Sequence, residues 1–330
     1  MKSKIPLNVS VLLYTAFFII LLVLILTHSA LSLLYAGNGL QLWLTKMIPA
    51  LLPFMILSGI MIRMELTQTF VSLLHPLFYL VFRVSKNVTY AIVMGFLCGF
   101  PMGAKVTADL LERNQITRQE AQFLLTFCNN IGPIYVCSFV LPLLGRSLIA
   151  PYLLGMYGVP LLYGLILRYS VYRSMPSKPF RTTRGSRKCA KELILCEQPL
   201  PAKPSLLAQT DDAIRSALQS ILMLGGYMVL FNVLNLLPIL FFGIESPIIA
   251  YFAPLLEITG GLAALGNTFP LYSLLVLAFG GLSCMAQTYS MIKNTGISIH
   301  FYIRHKLILS ALTGLYYFGW FLGSNDTFLR

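Results

Sequence analysis

Residues 99–109 read GFPMGAKVTAD and residues 129–133 read NNIGP, and these two stretches decide the fold. Both lie in strongly apolar surroundings, yet both contain residues that interrupt helices, because glycine has little backbone preference and proline cannot donate a backbone hydrogen bond. At membrane depth, a broken helix is tolerated only where it is buried in protein or lines a polar cavity. The two stretches also supply polar side chains for such a cavity, namely Lys105, Asp109, Asn129 and Asn130. The pattern is typical of the binding site of a membrane transporter.

The composition of the whole chain points the same way. The chain has 330 residues, of which 57% are hydrophobic and 11% are charged, and its mean hydropathy is +0.77. Soluble domains carry about 25% charged residues. A soluble protein of this composition would have to bury nearly every face of its helices. We therefore predict an all-α polytopic membrane protein that has the lipid bilayer as a partner.

A basic, proline-rich segment divides the chain. Residues 168–203 contain nine Lys or Arg and two Glu, a net charge of +7, and residues 169–204 contain five prolines. The segment lacks the interleaved aromatic residues and the reading motif of a nucleic-acid site, so we expect no nucleic-acid partner. The positive-inside rule instead predicts a cytoplasmic linker. The predicted organisation is a signal-anchor helix, a first half, the linker and a second half, at residues 1–38, 39–168, 169–204 and 205–330.

Apolar runs of about 20 residues predict the spans of the first half. They cover residues 11–34, residues 41–62 with interruptions at Pro49 and Pro53, and residues 148–167. Residues 88–112 are predicted to form a helical hairpin that breaks at Gly99–Gly103. The next helix begins at a capping box, Thr117 with Glu120, and breaks at residues 129–133.

Residues 66–85 can lie in the membrane interface or cross the membrane, and their spacing of apolar residues favours the interface. The predicted spans of the second half are residues 217–242, 247–265, 271–293 and 298–322. Gly280 and Gly281 lie near the middle of the third of these spans. In the last, Arg304, His305 and Lys306 are expected to reach the wet interface with their polar ends.

Two sequence signals recur on either side of the linker. Residues 53–59 (PFMILSG) match residues 254–260 (PLLEITG), and residues 99–117 match residues 281–298. The recurrence predicts two related halves, each with spans, a re-entrant helical hairpin and a broken helix. Secondary transporters built from such repeats hold the solute where the broken helices of the two halves meet. When the predicted spans are counted with residues 66–85 in the interface, the two halves come out parallel. The count also indicates that one segment is misassigned, so parallel and inverted repeats both stay open.

At these residues the chain resembles the family of the sporulation integral membrane protein YlbJ, also called stage V sporulation protein V. The resemblance covers about residues 40–320 without the linker. The pieces that carry it are GFPMGAK at 99–105, TAD at 107–109, EA at 120–121, NN at 129–130, GP at 132–133, EITGGL at 257–262, GGLS at 280–283 and AQ at 286–287. Phe100 and Met102 depart from the family pattern, which leaves the class intact but weakens the identification of one solute.

The resemblance implies a Gate or nucleoside-recognition domain protein, so that both halves are Gate-like. It implies a transporter that moves dipicolinic acid, a small anionic solute, from the mother cell towards the forespore, across the mother-cell-derived outer forespore membrane. The alternatives are an ion-coupled carrier of nucleosides or other small solutes, and a non-transporting membrane scaffold for spore maturation. A homo-oligomer is compatible with all three.

The predicted site combines the helix breaks with polar side chains near them. Helix ends opened at glycines present unpaired N–H groups to an anion. The predicted substrate-binding residues are Gly99, Pro101, Gly103, Lys105, Asp109, Asn129, Asn130, Gly132, Thr259, Gly281, Ser283 and Gln287. Glu257 is predicted to bind a coupling ion or proton, because a charge in the middle of a span is costly unless it has a function.

Local structural roles compete with these assignments. Lys105 and Asp109 have the i,i+4 spacing of an ion pair along one helix face. Asn129 and Asn130 can be the capped end of a half-helix. Catalysis has no support, because the chain lacks a nucleophile elbow, an HExxH motif and a phosphate-binding loop, so we expect no enzyme. The six cysteines include no CxxC pair, and we expect neither a metal nor another cofactor.

Overall fold

The computed structural model describes residues 9–145, 149–175, 205–243 and 246–323. Throughout these ranges the regular structure is helical, and no β-strand occurs in them. Five of the described helices are long and apolar enough to cross a membrane, or up to six if a bent pair counts as one span. The protein is therefore an all-α polytopic membrane protein, as predicted. Most of the basic linker, residues 176–204, lies outside the described residues.

The described residues 9–145 and 149–175 form nine helical elements. They are α1 (Val9–Thr27), α2 (Ser29–Arg63), α3 (Thr67–Phe70), α4 (His75–Phe82), α5 (Lys86–Cys98), α6 (Met102–Glu112), α7 (Arg118–Phe127), α8 (residues 133–143) and α9 (Ala150–Tyr169). Helix α7 begins at the predicted capping box: Thr117 Oγ1 accepts a hydrogen bond from the backbone N–H of Glu120, whose carboxylate accepts one from the N–H of Thr117. The break after Phe127 is also confirmed, because α8 resumes only at Pro133.

The described residues after the linker, 205–243 and 246–323, form six helical elements. They are α10 (Leu206–Phe242), α11 (Ile248–Leu256), α12 (Ile258–Leu265), α13 (Pro270–Phe279), α14 (Gly281–Ile292) and α15 (Ile299–Gly323). Both halves therefore show one order of parts: a long helix (α2 or α10), a hairpin (α5–α6 or α11–α12), a broken helix (α7–α8 or α13–α14) and a closing helix (α9 or α15). We call these the first and second hairpins and the first and second broken helices.

The second hairpin corrects a sequence prediction. Residues 247–265 were expected to form one span, but Glu257 has an extended backbone (φ −136°, ψ 118°) and the chain folds back there. Gly261 makes the fold-back possible, since a Cβ at this position would collide with the backbone of Ala253 and Pro254. The helices α13 and α14 do not form a hairpin; Gly280 interrupts a single span over Pro270–Ile292. Both internal matches were wrong in register. Residues 53–59 lie in α2 whereas residues 254–260 form the tip of the second hairpin, and residues 99–117 and 281–298 also belong to different parts.

The corresponding parts of the two halves run antiparallel. In α2 and α10, Gly39 faces Asn232 and Gly59 faces Ala213, so residue numbers rise in one helix as they fall in the other. The closing helices α9 and α15 are also antiparallel. The hydroxyl of Tyr316 donates to the carbonyl of Pro151, and the hydroxyl of Tyr163 is hydrogen-bonded to His305 Nδ1. The repeats are therefore inverted. The span count suggested parallel halves because a re-entrant hairpin was counted as a crossing.

Other details also differ from the sequence predictions. The run at residues 11–34 is two helices, because α1 ends at Thr27 and α2 begins at Ser29. Helix α2 is not broken at Pro49 or Pro53; it accommodates a π-helical turn at Trp43–Met47 and continues. Residues 66–85 form the short helices α3 and α4, and α4 meets α5 at an angle of 100°. Leu73, Leu77 and Leu80 in this segment are exposed, in keeping with an apolar face toward lipid.

Candidate functional site

A cavity of about 210 Å³ lies where the two hairpin tips and the two helix breaks converge. The tips contribute Phe100 and Glu257, the first broken helix contributes Gly132 and Tyr135, and the second contributes Gln287. The long helices close the remaining sides with Lys46, Met47, Ala50, Leu51, Phe54, Leu224 and Met228. Pockets for drug-sized ligands measure roughly 300–1,000 Å³. This cavity therefore suits a compact solute with one ring or of similar bulk.

Close backbone packing holds the first hairpin against the first helix break. Gly95 and Gly103, one on each arm of the hairpin, both face the carbonyl oxygen of Cys128. At the tip, Gly99 has a left-handed φ of +79°, and a Cβ there would collide with the backbone of Gly132. The backbone N–H of Phe100 donates to the carbonyl of Asn130 at 2.5 Å. Gly99, Gly103 and Gly132 therefore allow two backbones to touch, and the Phe100–Pro101 peptide between the arms is cis.

The tip of the second hairpin is held by the carboxylate of Glu257. It accepts hydrogen bonds from the backbone N–H groups of Thr259 at 3.1 Å and Gly260 at 2.7 Å, and from Asn232 Nδ2 at 3.4 Å. Glu257 is thus the N-cap of α12, a position in which a carboxylate stabilises the positive end of the helix. The same side chain is 2% exposed and lines the cavity. One residue therefore shapes the tip and gives the cavity wall its acidic group.

Polar groups are few in the cavity wall, but they converge. Among the described residues that line it, Lys46 is the basic one and Glu257 the acidic one, and Ser138, Thr259 and Gln287 are neutral and polar. The buried hydroxyl of Tyr135 lies beside Thr259 but makes no hydrogen bond of normal geometry in the described part of the chain. Lys46 belongs to the π-helical turn of α2. Such turns occur often at functional sites.

The structure divides the predicted site residues into two groups. Gly132, Glu257, Thr259 and Gln287 line the cavity. The others lie behind its wall or away from it: Gly99, Pro101, Gly103, Lys105, Asp109, Asn129, Asn130, Gly281 and Ser283. Gly281 faces the carbonyl of Pro254 in the second hairpin, at 3.0 Å from the position of a Cβ, and Ser283 accepts a hydrogen bond from Gln287 at 3.0 Å.

Lys105 and Asp109 make the local ion pair that their spacing allows. Lys105 Nζ lies 2.6 Å from Asp109 Oδ1, and it also donates to Ser216 Oγ at 3.1 Å. Neither residue is among those that line the cavity. This pair ties α6 to α10. The structure thus places the ammonium group of Lys105 in contact with protein groups rather than with the cavity.

The side-chain amide groups of Asn129 and Asn130 are hydrogen-bonded to other groups of the protein. Asn129 Nδ2 donates to Thr288 Oγ1 and to Tyr302 Oη, both at 2.9 Å, and its Oδ1 accepts from the N–H of Ala104 at 3.3 Å. Asn130 Nδ2 donates to the carbonyl of Phe127 at 2.5 Å. Both side chains are buried and hold the break to its neighbours. They shape the back of the cavity wall.

Sequence reasoning missed two lysines. Lys46 was unassigned, and only the packing of α2 against α10 brings it to the cavity. Lys306 was expected at the wet interface together with His305; both predictions were wrong, because Lys306 is 2% and His305 8% exposed. His305 is hydrogen-bonded to the hydroxyl of Tyr163 at 2.6 Å. Arg304 is exposed. Their positions near the end of an apolar helix suggested snorkelling, and the sequence carries no signal for the partners that bury them.

Metal chemistry was not expected, and the described residues contain no group of three His, Cys, Asp or Glu side chains that could hold a metal ion. Cys98, Cys128, Cys137 and Cys284 are free thiols. Cys189 and Cys196 lie outside the described residues.

Comparison with known proteins finds one strong relative. The chain is 31% identical over 240 residues to the sporulation integral membrane protein YlbJ of Bacillus subtilis (strain 168). The match covers 69% of this chain and 57% of the relative, so the chain spans little more than half the length of that protein. No family model matches the chain. No solved structure matches it either.

Proposed function

Because the chain belongs to the family of the sporulation integral membrane protein YlbJ, we propose that it is a membrane carrier of a small organic anion, with dipicolinate as the first candidate. The observation that carries the proposal is the cavity between two hairpin tips and two helix breaks, with Lys46 as the basic residue in its wall. Inverted repeats whose broken elements meet around a central cavity are the architecture of secondary transporters.

The chemistry of the cavity supports a flat anion with one ring. Lys46 supplies a positive charge for one carboxylate, and Thr259, Gln287 and Tyr135 supply hydrogen-bond donors for the rest of the molecule. The apolar walls, which include Phe54 and Phe100, suit the faces of a ring. The carboxylate of Glu257 already accepts hydrogen bonds from two backbone N–H groups and Asn232, which lessens its repulsion of an anion.

In this proposal the solute moves by a change in the relative position of the halves. One half rocks against the other and opens the cavity to alternate sides of the membrane. The direction is from the mother cell towards the forespore, and the membrane is the outer forespore membrane. Catalysis has no part in the cycle. The carrier works in the lipid bilayer without nucleic acid, and a homo-oligomer is compatible with it.

A second candidate follows from Glu257. A buried carboxylate in the cavity wall is suited to bind a proton or a cation, so the protein could carry a nucleoside or another neutral solute coupled to an ion. The two candidates differ in which charged residue contacts the solute. An anion needs Lys46, whereas an ion-coupled neutral solute needs Glu257. The third alternative, a scaffold without transport, needs neither.

Uptake of dipicolinate into proteoliposomes tests the proposal. We compare the wild type with Lys46→Gln, Lys105→Gln and Arg215→Gln, the last an exposed residue whose ion pair with Asp211 is also exposed. Lys46 is exposed, so its ion pair with a carboxylate contributes about 0.2–1 kcal/mol, and Lys46→Gln is expected to raise the half-saturation concentration up to roughly fivefold. Arg215→Gln should behave as the wild type. A larger effect in Lys105→Gln than in Lys46→Gln would place the anion at the other lysine.

Two results would contradict the proposal itself. The second candidate would be established if the protein takes up a nucleoside, dipicolinate does not inhibit that uptake, and the uptake is lost in Glu257→Gln but kept in Lys46→Gln. A folded wild type that takes up neither solute under imposed proton and sodium gradients would favour the scaffold.

A further inference from the structure

Lys306 places a buried ammonium group at the break of the first broken helix, behind the wall of the cavity. Its Nζ donates to the backbone carbonyl of Asn129 at 2.8 Å and to Asn130 Oδ1 at 3.0 Å. It also lies 5.2 Å from the centroid of the Phe100 ring, within the range of a cation–π interaction. The ammonium group thus has two oxygen ligands and one aromatic face, and all three belong to the first half of the chain.

This ammonium group has no acidic partner among the described residues, where the ion pairs are Lys105–Asp109 and Arg215–Asp211. An ammonium group buried away from water is costly unless other groups replace its hydration. Here the replacement comes from neutral oxygens and a ring rather than from a carboxylate. Oxygen acceptors and an aromatic face are also groups that bind a free ammonium ion, and the arrangement differs from an ordinary buried salt bridge.

The position in the fold supports the same interpretation. Helix α7 ends at Phe127, and the carbonyl groups after a helix end carry the negative end of its dipole. In secondary transporters the unwound carbonyls and C-terminal ends of half-helices coordinate the coupling Na⁺ or H⁺. In this protein the side chain of Lys306, from the closing helix of the other half, reaches that place.

We propose that residues 128–132 form a monovalent-cation site that the ammonium group of Lys306 occupies in place of a free cation. Lys306 holds the first break to α15 and leaves no room for a free cation. A variant with a short side chain would open the site, and a small ammonium ion would bind there in place of the missing group. A consequence that rests on the proposed transport function is that uptake by the wild type does not require Na⁺.

Thermal unfolding of the purified full chain tests the site without any assay of transport. We compare the wild type, Lys306→Ala and Arg304→Ala in methylammonium chloride, sodium chloride and choline chloride at equal ionic strength. Arg304 is the matched control, since it lies two residues away on the same helix, carries the same charge and is exposed. Lys306→Ala should have the lowest Tm in choline. Methylammonium should raise that Tm saturably by about 2–5 °C and leave the other two proteins unchanged.

A Tm of Lys306→Ala that is the same in all three salts would overturn the proposal, and so would an equal rise in all three proteins. A second variant covers the case in which Lys306→Ala cannot be purified. Lys306→Met fills much of the same space without a charge, so it should be less stable than the wild type and unaffected by methylammonium. If Lys306→Met is as stable as the wild type, the oxygens of Asn129 and Asn130 need no cation and the proposal is wrong.

The consequence for transport is tested separately, by uptake in sodium and in choline media. Equal uptake in both supports it, and uptake that requires Na⁺ contradicts it. If the wild type transports nothing, the proposed function fails, while the unfolding experiment still decides whether the cation site exists.

Discussion

Gly103→Ala tests whether the first hairpin and the first helix break are packed backbone to backbone. A Cβ at residue 103 would lie 2.5 Å from the carbonyl oxygen of Cys128 and 3.1 Å from the Cα of Asn129. Ordinary contact begins at 3.4 Å, so the break would have to move by about 0.9 Å (3.4 − 2.5). Both neighbouring atoms belong to the backbone, and no side chain can rotate away to relieve the contact.

The magnitude follows from two opposing effects. Overpacking of a well-packed interior costs typically 1–3 kcal/mol, whereas replacing glycine by alanine within a helix gains up to about 1 kcal/mol. With the full gain from alanine, the net loss is roughly 0–2 kcal/mol, which lowers the Tm by up to about 8 °C. Gly226→Ala is the matched control, because this glycine lies inside α10 with nothing within 4 Å of its Cβ position. That variant should be as stable as the wild type or slightly more stable.

Differential scanning fluorimetry of the detergent-purified proteins gives both values. The break holds Gly132 and Tyr135 in the cavity wall, so under the proposed function the Gly103→Ala variant should also lose affinity for dipicolinate. A Gly103→Ala variant with the Tm of Gly226→Ala would refute the packing argument, because the two backbones could then separate at no cost.

Two further perturbations test side chains that hold helices in place. Arg168 is buried and donates to the carbonyls of Phe82 at 2.7 Å, Arg83 at 3.0 Å and Met175 at 3.1 Å. Arg168→Met should lower the free energy of unfolding by roughly 2–4 kcal/mol, because it leaves these carbonyls unpaired. Amide hydrogen exchange in α4 should then become faster, and unchanged exchange there would contradict the anchoring role. Glu257→Ala removes the N-cap of α12 and should lower the free energy of unfolding by about 0.5–2 kcal/mol. Glu257→Gln keeps one acceptor oxygen, so its Tm should lie between those of Glu257→Ala and the wild type. Equal Tm values for the two variants would show that the cap does not stabilise the hairpin.

The predictions from sequence that the structure confirmed rest on local chemistry. The break at Gly99–Gly103, the capping box at Thr117 and the break before Pro133 depend on glycine φ angles, proline and short-range hydrogen bonds, which are encoded within a few residues. The i,i+4 pair of Lys105 and Asp109 is likewise local. Such features leave a signal in the sequence because the interacting groups are neighbours along the chain.

The predictions that failed depended on contacts between separate helices, whether these are neighbours or far apart in the chain. An apolar run such as residues 247–265 has the same composition in a span as in a re-entrant hairpin, and only the fit of Gly261 against Ala253 distinguishes the two. Lys306 near the end of an apolar helix resembles a snorkelling lysine until its oxygen partners, 176 and 177 residues away in the chain, are known.

The sequence by itself determined the membrane class and the helix breaks at residues 99–103 and 129–133, because hydropathy, glycine and proline act on the backbone where they stand. Only the tertiary structure decided that the halves are inverted, that Lys46 rather than Lys105 lines the cavity, and that Lys306 is buried. These properties arise when α2 packs against α10 and α15 against the first break. The positions of their charged groups are set by contacts between helices that no local pattern records.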